Sequence, residues 1–137
     1  MGRLKMLKKM IVSLFVCTCG ATAYAAPAMT DKDVNCAAYS NSLVVLTKAK
    51  AQEVENAGGN PIGYQAITSR ALGFLEHHFS LVKKKMTDKK LDSEDVDSSL
   101  GVLVGKYNSE LESIGNDPAA LLKSLMGKEK SFKCSLK

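Results

Sequence analysis

Val96, Leu100, Leu103, Tyr107, Leu111 and Ile114 recur at steps of three and four residues, which gathers six apolar side chains on one face of a helix. Gly115 follows where a C-terminal cap is expected. Asp92, Glu94, Asp95 and Asp97 crowd the other end, where carboxylates complement the positive pole of the helix dipole. A second stripe, Tyr64, Ile67, Ala71, Leu75, His78 and Val82, follows Asn60-Pro61, an N-cap residue beside a proline suited to the first helical turn. This helix is expected to end near Met86, with Lys83, Lys84 and Lys85 in its last turn.

Two further helices flank this pair. Thr30, with Asp33 three residues on, has the spacing of a capping box just before Val34, and the chain then runs without glycine or proline to Ala57, where Gly58-Gly59 stops it. Asp117-Pro118 opens a shorter segment with Leu121, Leu122, Leu125, Met126 and Phe132 as its buried face. Four helices joined by short connections favour antiparallel neighbours, so the expected fold is all-α, a single four-helix up-down bundle.

Ahead of this pattern stands a segment of different character. Arg3, Lys5, Lys8 and Lys9 precede an uncharged, mostly apolar run from Met10 to Ala21, and Ala23-Tyr24-Ala25 supplies the small-x-small pattern read by signal peptidase. Residues 1–25 are therefore expected to be a signal peptide cleaved before Ala26, leaving one helical domain over 26–137. The apolar run is shorter than the roughly 20 residues a membrane-spanning helix needs, so no stable membrane insertion is expected after cleavage. The leader is basic and poor in serine, as bacterial leaders are, which makes the periplasm or the medium the destination.

The leader changes the charge balance. The chain carries 19 basic and 14 acidic residues, a net +5, but four of the basic residues and none of the acids lie in the leader, leaving 15 against 14, or +1. A mature domain so nearly neutral gives no electrostatic reason to expect a nucleic-acid partner, because neutralisation of phosphates supplies most non-specific affinity for nucleic acids. The leader also takes Cys17 and Cys19 with it. Cys36 and Cys134 remain as an even pair, and an oxidising compartment favours a disulfide between them. In an up-down order the start of the first helix and the end of the fourth share one end of the bundle, where these cysteines fall; three or five helices would separate them by a helix of roughly 30 Å.

Candidate chemistry is sparse. Glu76-His77-His78 is the one histidine cluster, but adjacent helical residues point about 100° apart and no Glu-x-x-His or His-x3-His spacing occurs, so no metal site is expected. His78 lies on the apolar stripe and reads as a core-edge histidine with one hydrogen-bond partner, the residue to test for pH sensitivity. Gly101 to Lys106 is one residue short of a phosphate loop and lacks the hydroxyl residue after the lysine. Gly101 and Gly105, with Gly73, read instead as positions of close helix packing or as the floor of a groove. Lys83 to Lys85 read as a solvated helix end.

No haem-attachment motif, nucleophile elbow or repeated Cys-x-x-Cys is present, so no enzymatic activity and no cofactor are expected. The expected function is non-enzymatic action through another envelope protein, as an adaptor, chaperone-like factor or accessory component. The alternative is a carrier holding a small apolar ligand between its helices.

Overall fold

A computed structural model describes residues 27–115 and 117–134. The expected leader, with Cys17 and Cys19, lies outside them. Five helices follow one another: α1 (Pro27–Thr30), α2 (Lys32–Asn56), α3 (Ile62–Thr87), α4 (Ser93–Ile114) and α5 (Pro118–Phe132). No strand occurs among the described residues. None of the helices there is long and apolar enough to cross a membrane.

The described residues are all-helical as expected, with one helix more than the periodicity announced. The four residues of α1 span barely one turn and are too few to show a period. The cap between α1 and α2 is Asp31 and not Thr30: its side chain accepts from the backbone N–H groups of Asp33 and Val34 at 2.9 and 3.0 Å. Asp92 caps α4 in the same way through Glu94 and Asp95, and Asp117 caps α5 through Ala119. At α3 the backbone cap is Pro61, while Asn60 accepts from the Ile62 N–H at 3.1 Å. Gly58, at φ 79°, ends α2 by taking the left-handed conformation that glycine adopts without a Cβ penalty.

α2 is the centre of the molecule. From Asp33 to Val44 only Asn35 and Asn41 are less than fully buried, so this half of the helix is enclosed on all sides. Ala37, Ala38, Ser40 and Ser42 are small enough to let neighbouring helices come close. α3 packs most extensively on α2, α4 next, and α1 and α5 complete the enclosure. Leu43, Leu103, Leu111, Leu121 and Leu125 are each at most 2% exposed. Burial at that level contributes about 1.5–3 kcal/mol per leucine.

Polar contacts set the directions. α3 runs antiparallel to α2, as Asp33 meets His78 and Thr47 meets Thr68. α5 also runs antiparallel to α2, as Tyr39 meets Ser124 and Cys36 meets Cys134. α4 meets α2 through Asn35–Tyr107 and Ser42–Val104, pairs whose numbers run in opposite directions. An up-down order of four would run these two helices in parallel.

Two apolar positions differ from the sequence reading. Met126, expected on the buried face of α5, is 52% exposed. On α3 it is Phe74 that is buried, while the neighbouring Leu75 is half-buried, because the face turned to α2 is displaced by one residue over the middle of the helix.

Candidate functional site

The start of α2, the second half of α3 and the end of α5 meet at one end of the fold. Asp33 and Cys36, three residues apart, share a face of α2; His78 and Lys85, seven apart, share a face of α3. Cys134 arrives from the stretch after α5, just past Lys133, whose left-handed backbone (φ 55°) turns the chain off the helix. Cys36 and Cys134 are joined as a disulfide with their Cα atoms 5.8 Å apart, across 98 residues of sequence.

Beside the bridge lies a buried ionic cluster. His78 Nδ1 is 2.7 Å from Asp33 Oδ1. Lys85 Nζ is 2.8 Å from Asp33 Oδ2 and 2.6 Å from Asp31 Oδ2. An ionised carboxylate can only accept, so His78 carries its proton on Nδ1 and donates it to Asp33. Burial pushes the Asp33 carboxyl up, but hydrogen bonds from Lys85 and His78 and the charge of Lys85 outweigh it and hold the group below its usual value. Burial likewise pushes Lys85 down, and the hydrogen bonds and charges of Asp31 and Asp33 raise it on balance. Lys85 thus has a second role beyond the helix dipole: half-buried, it binds the α1–α2 corner to α3.

His78 is buried as the stripe implied, 1% exposed, and stacks against Phe74 one turn away. One of its ring nitrogens and the two sulfurs of Cys36 and Cys134 lie within 4.8 Å of one another. The His77 ring stands edge to face with that of His78, centroids 5.0 Å apart, and its Nε2 is buried with no hydrogen-bond partner among the described residues. The His78 grouping escaped the spacing rules because its members come from three separate stretches of the chain. His78's place on an apolar stripe and the cysteine pair beyond the expected leader were the only signals in the chain.

A Cβ added at Gly101 or at Gly105 would meet nothing within 4 Å, so neither marks a close helix approach. Gly73 is half-buried on α3. Gly63 does face another helix, since a Cβ there would stand 3.4 Å from Pro118 at the start of α5, at ordinary van der Waals contact.

On the same end of the molecule a shallow open cleft of about 460 Å³ lies between α1 and the end of α5. Met29 and Phe132 form its apolar part, Thr30 and Ser131 add hydroxyls, and the exposed Lys32 and Lys133 bring positive charge to it. Neither histidine and none of the three glycines Gly73, Gly101 and Gly105 lines it.

No family model, curated protein or solved structure matches this chain.

Proposed function

We propose that the protein is exported and acts without catalysis, by seating an apolar segment of a partner protein in the cleft between α1 and the end of α5. The cleft carries this reading: Met29 and Phe132 supply apolar contact, and Lys32 and Lys133 favour a segment that also bears carboxylates. The buried polar groups nearby are turned inward upon one another, which suits a scaffold better than a reacting centre. The leader pattern of residues 1–25 supports export to an envelope compartment, where the partner would reside.

The experiment is photo-crosslinking in the native envelope from a photoreactive residue placed at position 131 of the full chain, which also lines the cleft. The expected result is one discrete polypeptide adduct, lost in the double variant Lys32→Glu, Lys133→Glu. A lipid adduct in its place would transfer the cleft to a small apolar ligand, and the absence of any adduct would remove the cleft as a docking surface. Mass spectrometry of the same preparation is expected to find the N-terminus at Ala26.

A further inference from the structure

We propose that Cys36, Cys134 and His78 form a zinc site in the reduced protein, with Asp33 orienting the imidazole, so that the disulfide and the bound metal are mutually exclusive states of one cluster. The donors are already assembled: two sulfurs and one imidazole nitrogen lie within 4.8 Å of one another. Tetrahedral zinc, with sulfur at about 2.3 Å and nitrogen at about 2.0–2.1 Å, places its ligand atoms roughly 3.5–3.8 Å apart. The imidazole therefore needs a shift on the order of 1 Å, and the sulfurs need only part from bonding distance.

The fold provides for that movement unequally. Cys36 and His78 are fixed within α2 and α3, buried at 0% and 1% exposure. Cys134 is half-buried and follows the left-handed Lys133 outside any helix, so it is the ligand least held by helical structure.

The surroundings match what a metal-bound imidazole requires. Its second nitrogen ordinarily donates to a carboxylate, which fixes the tautomer and raises the basicity of the ligating nitrogen. With zinc on Nε2, Asp33 would occupy that place at 2.7 Å from Nδ1, and Lys85 holds the other oxygen of the same carboxylate. Thiolate ligands select zinc or copper(I) over hard cations. Between those two, charge decides: two thiolates and a neutral imidazole cancel a divalent ion, whereas a monovalent ion would leave a buried negative charge. Three protein ligands leave a fourth position for water or an exchanging thiol.

Chemical balance requires a dithiol reductant. Its two S–H groups close into its own disulfide, two electrons pass to the Cys36–Cys134 bond, and the two protons go to the cysteine sulfurs as that bond breaks. Zinc then binds the two thiolates and the two protons leave to solvent. Oxidation by a disulfide of the same chemical class reverses the sequence and expels the metal.

The test uses the full chain with Cys17→Ser and Cys19→Ser, so that thiols of the leader do not bind. It is reduced anaerobically with a phosphine and titrated with cobalt(II), then zinc. One equivalent of cobalt is expected to give thiolate charge-transfer absorption and tetrahedral d–d bands, abolished by zinc and absent from the oxidised protein. Zinc is expected to raise the melting temperature of the reduced protein and leave that of the oxidised protein unchanged. Asp33→Asn, which keeps every ligand, is expected to weaken binding about 10–100-fold. The proposal is overturned if the reduced chain, folded or unfolded by circular dichroism, shows no such bands. It is equally overturned if His78→Gln binds cobalt with unchanged affinity, since two thiolates would then suffice without the imidazole.

Discussion

A carboxylate inside a helical core loses most of its hydration, and Asp33 remains ionised because His78 occupies one of its oxygens and Lys85 the other. Removing that carboxylate leaves Lys85 half-buried with Asp31 alone and leaves the His78 Nδ1 proton without its acceptor. Asp33→Ala is accordingly expected to lower the free energy of unfolding by about 3–5 kcal/mol, read from urea denaturation of the oxidised protein. Tyr107 governs the alkaline side. Burial first, then the charge of Glu110 and the neighbouring Tyr39, push its phenol up to about 12 from 10.0. The folded state then holds this proton more tightly than the unfolded chain, so the contribution is complete below about pH 10 and is lost as pH rises towards 12. Lys85, also raised, acts in the same direction. Melting temperature is expected to fall across that window, and less steeply in Tyr107→Phe. That variant gives up the hydrogen bond to Asn35, at a cost of about 1 kcal/mol near neutrality. Of these residues His78 and Tyr107 stood out in the sequence, each by its position on a stripe. Asp33 and Lys85 could not, since His78 lies 45 residues from Asp33 and Lys85 lies 54 from Asp31, and no local pattern records such a pairing.

Among the helices, those with one wet face could be read from the chain and the enclosed one could not. α4 keeps Val96, Leu103, Tyr107 and Leu111 buried and its stripe is plain. α2 is covered by four neighbours, so apolar and small residues surround it and no period survives; its extent was set by the glycines after it and not by its face. The glycines of α4 admit an opposite correction. Gly105 is exposed within a helix and a Cβ there touches nothing within 4 Å, so Gly105→Ala is expected to stabilise the protein by about 0.5–1 kcal/mol, measured by thermal or chemical denaturation. A loss of stability there would mean that something outside the described residues rests on α4.

For the molecule as a whole, the bond between Cys36 and Cys134 encloses almost everything described. Closing a loop of this size contributes about 4.7 kcal/mol in the chain-entropy model, so Cys134→Ser is expected to lower the melting temperature in non-reducing buffer. The same variant in reducing buffer, without metal, should melt where the reduced parent does. The pairing was deducible because only two cysteines follow the expected leader, and their meeting at one end of the fold agrees with it. The arrangement of α4 across α2 was not deducible, since short loops constrain which helices are neighbours but not the angle at which they cross.

Cys134 comes after all five described helices, so the ring closes only when every one of them has been synthesised. Once closed, the protein can no longer be drawn out as a single extended strand: pulled from either end, residues 36 to 134 advance as a doubled loop. A pore or protease chamber wide enough for one strand therefore admits this chain only while its two sulfurs are apart, and oxidation holds it on whichever side of a barrier it occurs until the bond is reduced.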